Sequence, residues 1–410
     1  MLSACIGNGA QDGSGFHRDG EEGSTAGHPS REAAITILGY LLLLASGAGS
    51  LLILWAALLA RRFDRPWSPR TPSEPATLVK PLYGEEPRLE ADLASFLAQQ
   101  PPVAIQMLCG VQRRTDPAIA VVERLCVRPG SPVELIIDER RHGSNGKVSN
   151  LINMEPHIRH DMVVLSDSDM AVDPTYLARL RDALAAPGVG AVTCLYRGRA
   201  DRGIWSRLVA MGIDLQFLPS ALIGLATGLA HPCMGSTIAL RRGTLARIGG
   251  FSAFADILAD DHAIGAAVRG LGLRLAVPDM LVTHGCSEAS LAELWRHELR
   301  WNATVAGIDP AGFAGSIVLH PLPLALLGGA AAGFTGAAAW SAVLLALGAR
   351  AVMARRLGHR AGALALIPLR DLLSFLIFLA AWFTRSVDWR GTTLHMGPNG
   401  RAAAAREISE

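Results

Sequence analysis

The hydrophobic pattern divides the chain into an apolar segment, a long mixed region and a second apolar region. Residues 33–60 carry no charge and are long enough to cross the roughly 30 Å hydrocarbon layer of a membrane as a helix. Residues 1–32 are rich in glycine, serine and acidic side chains, which predicts a disordered tail. Arginines follow the apolar segment at positions 61, 62, 65 and 70, so the positive-inside rule places the mixed region in the cytoplasm. We therefore predict a retained transmembrane helix over 33–60.

Short apolar runs alternate with helical patterns between residues 77 and 309. Runs near 77–82, 105–111, 133–138 and 162–166 predict strands, and the segments 89–98, 118–126 and 147–157 predict helices. This alternation is typical of an α/β domain with a mostly parallel, doubly wound sheet. In such sheets ligands bind beyond the carboxyl ends of the strands, where the chain has polar residues at 83–86, 112–116 and 167–169. We expect these loops to form one crevice.

Two aspartates at the end of the fourth predicted strand are candidate metal ligands. Asp167 and Asp169 alternate along the chain, so both side chains leave the strand on the same face. Carboxylate oxygens suit Mg²⁺ or Mn²⁺ held jointly with a diphosphate. An acidic turn that caps the next helix is the alternative for such a motif alone. Lys147, after a glycine-rich turn at a helix amino end, adds a charge suited to phosphate.

Asp260 and Asp261 precede another helical pattern. One of them is expected to cap the helix and the other to project into the crevice. A hydroxyl acceptor needs a base within hydrogen-bond reach, and we assign that role to Asp261. Gly235 and Ser236 begin a predicted strand that lines a sugar pocket. A metal-dependent, nucleotide-sugar glycosyltransferase needs acidic residues in a fixed order ahead of an arginine-tryptophan pair. In this chain the series is Asp116, Asp167, Asp169, Asp261, Arg300 and Trp301.

The remaining apolar segments predict further contact with a membrane. Residues 204–230 fit an interfacial amphipathic helix or an ordinary helix under the sheet. Two transmembrane helices are predicted within 313–349. The segment 362–384 has Arg370 and Asp371 at its centre, which favours two short apolar arms joined by a polar elbow, in a re-entrant or interfacial position, with a full span as the alternative. Residues 385–410 are expected to form a cytoplasmic tail.

Composition narrows the classes of function. Hydrophobic residues make up 50% of the chain and charged residues only 18%, which is typical of a membrane protein. The net charge is +2 and the basic residues form no stripe with aromatic side chains, so we predict no nucleic-acid partner. The six cysteines form no CxxC pair, which argues against a zinc site or a disulfide framework.

Several segments together resemble glycosyltransferase family 21, and within it the hopanoid biosynthesis-associated glycosyltransferases. They are VKPLYGEEP, GVQRRTDPA, GKVSNL, SDSD, VTCLYRG, GSTIALRR, LADD and the pair RW. The resemblance covers residues 78–309, with a further similarity at VDWRG near the carboxyl terminus. Ceramide glucosyltransferases are the sister group. The resemblance implies a GT-A fold and inversion at the anomeric carbon.

The resemblance also implies roles for individual residues. Asp116 matches the acid that holds the nucleotide base or ribose, Lys147 the phosphate-side lysine, and Asp261 the general base. Asp167 and Asp169 match the metal motif. The nucleotide-sugar side also includes Pro81, Tyr83 and Asp167, and the acceptor and diphosphate side includes Gly235, Ser236, Asp260, His297, Arg300 and Trp301. His297 departs from the pattern, because relatives have glutamine or arginine there; a histidine donates a hydrogen bond or, when protonated, faces a phosphate.

The resemblance implies transfer of N-acetylglucosamine from UDP-N-acetylglucosamine to the lipid bacteriohopanetetrol at a bacterial inner membrane. Transfer of glucose from UDP-glucose to ceramide is the alternative. A processive polysaccharide synthase shares the acidic residues, but it needs more spans than the three or four that this chain offers. The alternative hypothesis outside the enzymes is a non-catalytic membrane scaffold, and the presence of all the acidic residues argues against it.

Overall fold

The computed structural model describes residues 31–334, 336–384, 386–389, 392–396 and 402–404. The predicted tail lies outside these residues except for its last two positions, which belong to the first helix. Arg390 and Gly391 of the VDWRG segment also lie outside them.

The secondary-structure elements follow the predicted alternation of strands and helices. The strands are β1 (Ala76–Pro81), β2 (Ile105–Val111), β3 (Val133–Ile137), β4 (Met162–Leu165), β5 (Met170–Ala171), β6 (Val189–Thr193), β7 (Leu195–Ala200), β8 (Ile238–Arg241), β9 (Arg274–Ala276), β10 (Leu281–Cys286), β11 (Ser386–Trp389), β12 (Thr392–Met396) and β13 (Ala402–Ala404). The α-helices are α1 (Arg31–Leu59), α2 (Leu89–Leu97), α3 (Ala118–Cys126), α4 (Gly146–Met154), α5 (Tyr176–Leu184), α6 (Ile204–Gly212), α7 (Leu218–Thr227), α8 (Arg242–Arg247), α9 (Asp260–Gly270), α10 (Leu291–Ile308), α11 (Pro310–Gly315), α12 (Pro321–Ala332), α13 (Ala337–Arg356), α14 (Ala361–Leu364) and α15 (Ile367–Ala381).

The central sheet has the strand order β3-β2-β1-β4-β8-β6-β9. Strands β3, β2, β1 and β4 run parallel, and β8 is antiparallel to both β4 and β6. The predicted mostly parallel sheet is therefore confirmed, with β8 as a reversed strand that the sequence did not predict. Because β8 is reversed, its amino end lies at the same edge of the sheet as the carboxyl end of β4. A smaller sheet of order β5-β10-β7 extends this edge.

Apolar cores cover both faces of the central sheet. Leu78 of β1 packs in one core together with α2 and α3. Its neighbour Val79 packs in the other core together with α4. Both side chains are fully buried, as the alternation of side chains along a strand requires when helices cover both faces. This arrangement leaves the ends of the strands as the place for polar loops.

Apolar helices pack beside the α/β domain. Within the described residues, three helices are long and apolar enough to cross a membrane: Arg31–Asp64, Ile204–Thr227 and Ala337–Arg356. The segments Pro310–Leu319 and Pro321–Ala332 would form a fourth candidate, bent by 71°. Helix α1 packs against α12 and α13, so the amino-terminal and carboxyl-terminal apolar regions form one bundle.

The segment predicted as an interfacial or ordinary helix is a single long helix. A π-helical turn, Ile213–Phe217, joins α6 to α7. Asp214 in this turn is fully buried, accepts a hydrogen bond from the Gly198 backbone N–H at 2.8 Å and lies 2.8 Å from His359 Nε2. These polar contacts at the centre of the segment favour the prediction of an ordinary helix that packs within the protein over that of an interfacial helix.

The segment 362–384 contains the short helix α14 and the longer helix α15. Helix α15 continues without a break through Arg370 and Asp371, so the elbow expected between two short arms is wrong. Both side chains are buried and pair with charged residues of neighbouring helices. The helix therefore needs no turn to bring them into contact with water. The placement of this segment in a membrane stays a prediction.

Candidate active site

Four charged side chains meet beyond the carboxyl end of β4. The Nζ atom of Lys147 lies 2.8 Å from Oδ1 of Asp167 and 3.2 Å from Oδ2 of Asp260. Asp261, the next residue, accepts a hydrogen bond of 3.0 Å from the backbone N–H of Gly235. The structure therefore brings the predicted phosphate-side lysine together with three of the predicted acidic residues.

Each of these residues stands at the end of an element. Asp167 follows β4, and Asp260 and Asp261 begin α9. Lys147 lies in the first turn of α4, whose amino end is capped by Asn145: its Oδ1 accepts a hydrogen bond of 3.1 Å from the Val148 N–H. The ends of four elements converge here because the reversed strand β8 adds its preceding loop to the edge.

Gly235, in the loop before β8, lies directly against this cluster. Its backbone N–H binds Asp261, and its carbonyl accepts a hydrogen bond of 3.1 Å from the N–H of Asp167. A Cβ atom at this position would lie 2.7 Å from Asp167 Oδ2 and 2.9 Å from Lys147 Nζ. Only glycine permits this approach without displacing the charged groups.

The charges of the cluster are not balanced. Burial disfavours the charge of Lys147, but the three carboxylates outweigh it and raise its pKa. Burial opposes the charge of Asp167 as well, yet Lys147 holds the pKa of Asp167 below its ordinary value. Burial raises the pKa of Asp260 to about 6 despite the attraction of Lys147, and burial also raises the pKa of Asp261. Lys147 thus compensates only part of the negative charge of the three carboxylates. The raised pKa values of Asp260 and Asp261 reflect this imbalance.

Asp116, predicted on the nucleotide side, joins the loops after β1 and β2. Its carboxylate accepts hydrogen bonds from the backbone N–H groups of Gly84, at 3.0 and 3.2 Å, and of Ala118, at 3.0 Å. The guanidinium of Arg113 lies over the ring of Tyr83, 4.6 Å from its centroid. Pro81 ends β1 immediately before this loop. The predicted nucleotide-side residues therefore share one loop cluster, and their contact with a nucleotide stays a prediction.

Helix α10 carries His297, Arg300 and Trp301. The Nδ1–H of His297 donates a hydrogen bond to the carboxylate of Glu288, a residue that the sequence did not single out. Burial opposes the charge of Glu288, but this hydrogen bond outweighs it and lowers the Glu288 pKa. The Trp301 ring packs edge-on against His297, with centroids 4.2 Å apart. The helix thus presents a packed polar and aromatic surface.

His284 of β10 connects this surface to the metal motif. Its Nδ1 lies 3.7 Å from Oδ1 of Asp169, and its ring lies 5.5 Å from that of Trp301. Sequence reasoning did not single out His284, which is buried in the structure. The available signal was its position two residues from both Val282 and Cys286, because alternate residues of a strand share one face and these three are buried.

Lys80 is another residue that sequence reasoning missed. It is fully buried in β1, donates hydrogen bonds to the Asp167 carbonyl at 2.6 Å and to Ser166 Oγ at 3.2 Å, and lies over the ring of Phe96. Burial lowers its pKa to about 8. Its signal was a lysine inside an apolar strand of the VKPLYGEEP segment. Ser236, by contrast, uses its hydroxyl in the fold, where it donates to the Cys194 carbonyl at 3.0 Å.

One carboxylate oxygen of the metal motif lacks a hydrogen-bond partner in the described part of the chain. Oδ1 of Asp169 is buried and has no hydrogen-bond partner among the described residues. Within the same part of the chain, no three side chains of His, Cys, Asp or Glu are grouped closely enough to hold a metal ion by themselves. Two carboxylates fit a Mg²⁺ or Mn²⁺ ion whose remaining ligands come from substrate phosphates and water.

Comparison with known proteins identifies the family. A sequence profile for "Glycosyl transferase family 21" matches residues 39–402. The chain belongs to glycosyl transferase family 21. The matched range includes the apolar helices as well as the α/β domain. The family expected from the sequence is therefore confirmed.

A curated relative and two solved structures extend this comparison. Ceramide glucosyltransferase 1 of Caenorhabditis elegans is 20% identical over 227 residues, which are 55% of this chain and 48% of the relative. The chain thus matches about half the length of that relative. The mannosyltransferase PcManGT from Pyrobaculum calidifontis, solved with GDP-Man and Mn²⁺, is 24% identical with a TM-score of 0.51, covering 85% of this chain and 98% of its own. Glucosyl-3-phosphoglycerate synthase from Mycobacterium tuberculosis, solved with Mn²⁺, UDP and glucosyl-3-phosphoglycerate, is 17% identical with a TM-score of 0.40, covering 59% of this chain and 85% of its own. The similarity to the mannosyltransferase confirms the GT-A-like fold.

Proposed function

We propose that this chain transfers a sugar from a UDP-sugar to a hydroxyl group of a lipid, with inversion at the anomeric carbon. The observation that carries the proposal is the cluster of Lys147, Asp167, Asp260 and Asp261 at the ligand-binding edge of a family 21 chain. The cluster combines a cation for phosphate with ionisable carboxylates, which are the groups that this reaction needs.

In the proposed reaction, Asp261 accepts the proton of the acceptor hydroxyl while the hydroxyl oxygen forms its bond to the anomeric carbon. The bond between that carbon and the diphosphate breaks, and its electron pair leaves with the nucleoside diphosphate. Lys147 stabilises the leaving phosphate by its charge. The hydrogen bond from Gly235 fixes the orientation of the Asp261 carboxylate and leaves acceptor capacity for the proton.

We propose that Asp167 and Asp169 hold a divalent ion, Mg²⁺ or Mn²⁺. When bound, the ion neutralises negative charge on the diphosphate. The buried Oδ1 of Asp169, which accepts no hydrogen bond from any described residue, supports this assignment. Asp169→Ala is expected to weaken UDP binding in the presence of Mn²⁺ by at least about tenfold, measured by calorimetry. Equal affinity of the variant and the wild type with Mn²⁺ present would remove Asp169 from the metal site.

For the substrates, we propose UDP-N-acetylglucosamine and bacteriohopanetetrol, on the resemblance of the motifs to the hopanoid-associated members. UDP-glucose and ceramide are the second candidate pair, and the similarity to a ceramide glucosyltransferase favours them. Both pairs place a hydroxyl on a lipid, which suits a chain with helices apolar enough to enter a membrane. We further propose that the chain lies in a bacterial inner membrane, with the α/β domain on the cytoplasmic side.

The test is a transfer assay with full-length protein in detergent. Each of the two donors is offered with each of the two acceptors, with and without EDTA. Chelator-sensitive formation of an N-acetylglucosaminyl hopanoid is the expected result. Formation of glucosylceramide instead would assign the second pair to the same residues. If no pair yields product while a ceramide glucosyltransferase is active in the same detergent, these substrate proposals fail.

A further inference from the structure

Arg370 and Asp371 of α15 are charged residues that the proposed reaction does not use. Their exposed fractions are only 1% and 2%. A buried charge persists in a folded protein only when partners compensate its loss of hydration. The partners of these two adjacent residues lie on different helices, so each residue holds α15 against a different neighbour.

The guanidinium group of Arg370 uses all five of its N–H donors. Two of them form a bidentate ion pair with Glu298, at 2.8 and 2.6 Å. The others donate to the Leu208 carbonyl at 3.1 Å and to Ser374 Oγ at 3.1 and 2.8 Å. Because the planar guanidinium holds its donors in fixed directions, this set of bonds fixes α10 relative to α15 and α6 in orientation as well as in distance.

Asp371 forms a second buried pair in another direction. Its Oδ1 lies 2.8 Å from Nε of Arg350 in α13. Arg350 also donates to the Leu215 carbonyl and, at 2.6 Å each, to Gln216 Oε1 and the Leu319 carbonyl. This second pair joins α15 to α13 and to the π-helical turn between α6 and α7, but not to α10. The two pairs have the same chemistry and similar burial, so each serves as a control for the other.

Glu298 connects the first pair to the active site. It lies in α10 between His297 and the pair Arg300 and Trp301. The ring of Trp301 packs on His297 and on His284, and His284 lies beside Asp169. Because a helix turns as a unit, a rotation of α10 at Glu298 moves all three motif residues relative to the metal motif.

We propose that the ion pair between Arg370 and Glu298 positions α10 for the transfer reaction. Through this pair, the apolar helix α15 sets the rotation of α10 and thereby the location of His297, Arg300 and Trp301. Arg370 and Glu298 are positioning residues and do not touch the substrates. The inference rests on the proposed function, since it assigns α10 to the acceptor and diphosphate side of that reaction.

The test removes each ion pair as a whole, so that no lone charge stays buried. The test variant is Glu298→Leu combined with Arg370→Met, and the control variant is Arg350→Met combined with Asp371→Leu. Three quantities are measured on full-length protein: kcat at saturating substrates, the Kd for UDP, and hydrogen exchange of the α10 backbone amides. UDP binding tests the side of the site held by Asp116, which a rotation of α10 leaves in place.

We expect the test variant to lose about 10- to 100-fold in kcat, because a shift of about 1 Å has effects of that size, while its Kd for UDP changes by less than about twofold. Its α10 amides should exchange faster, and the control variant should retain its kcat within about threefold. Unchanged kcat in the folded test variant, or equal losses in both variants, would overturn the proposal. If the wild type transfers no sugar at all, the proposed function fails, and unchanged exchange of α10 in the test variant then refutes the positioning role independently.

Discussion

The active-site edge and the contact between α15 and its neighbouring helices both bury charged groups, but they balance them differently. At the edge, Lys147 faces three carboxylates, and burial raises the pKa of Asp260 to about 6. At the helix contact, each arginine meets one carboxylate, and the donors of Arg370 are all used. Unbalanced charge leaves groups ready to exchange a proton or bind an ion, whereas matched charge holds helices in place.

The largest expected effect on the active-site edge comes from a substitution of Asp261. Asp261→Asn keeps the shape of the side chain and its capacity to accept the Gly235 hydrogen bond, but it removes the proton acceptor. We expect kcat to fall by about 10²- to 10⁴-fold, the range for loss of a general base, while UDP binding stays nearly unchanged. Initial-rate kinetics and calorimetry measure the two effects. Turnover close to that of the wild type would refute the assignment of the base.

At the matched contact, removal of one partner should cost stability. Arg370→Met leaves Glu298 buried and unpaired, so we expect a loss of about 3–5 kcal/mol in the free energy of unfolding. Thermal unfolding in detergent measures the change. Arg128→Met is the matched control, because its ion pair with Glu90 is exposed and should contribute at most about 1 kcal/mol. Equal losses in the two variants would show that the buried pair is not special.

Gly235→Ala tests the close backbone approach at the edge. The new Cβ atom would lie 2.7 Å from Asp167 Oδ2, so the carboxylate or the loop must move. We expect a loss of about 10²-fold in kcat, since a displacement of about 1 Å in an active site has that effect. Gly243→Ala provides the control, because a Cβ there meets nothing within 4 Å. If both variants keep full activity, the approach of Gly235 has no role in turnover.

The smallest effect concerns pH. The proposed base Asp261 can accept a proton only when it is ionised, and burial raises its pKa, so activity should be lost as pH falls through a value above the ordinary aspartate range. Below that pKa, kcat/KM should decline about tenfold per pH unit. The sign is opposite for stability: the raised pKa of Asp260 favours the folded chain at low pH, and this contribution is lost as pH rises from about 4 through about 6. A pH profile with its acid limb at the ordinary aspartate pKa would contradict the first expectation.

The α/β domain was largely predictable from sequence because its pattern is local. The predicted helix 118–126 has the bounds of α3, and the strands before the polar loops form β1, β2, β3 and β4. Apolar runs and turns carry this information directly. The convergence of Lys147 with Asp167 also followed from sequence, since the carboxyl ends of all parallel strands in a sheet lie at one edge.

Other features depend on contacts between distant parts of the chain. Arg370 and Asp371 predicted an elbow because a polar pair in an apolar segment lacks partners within the segment. Their partners, Glu298 and Arg350, lie on other helices, and no local pattern reveals them. The reversed direction of β8 has the same origin, because strand direction depends on the path of the long helix before it.

The two backbone groups of Gly235 connect the proposed base to the metal motif. Its N–H binds the Asp261 carboxylate, and its carbonyl accepts the N–H of Asp167. On the Gly235 side, main-chain atoms alone form both bonds, so exchange of the neighbouring side chains in this loop leaves them intact. Side-chain substitutions in this loop therefore leave unbroken the two main-chain bonds that set the distance between Asp261 and Asp167.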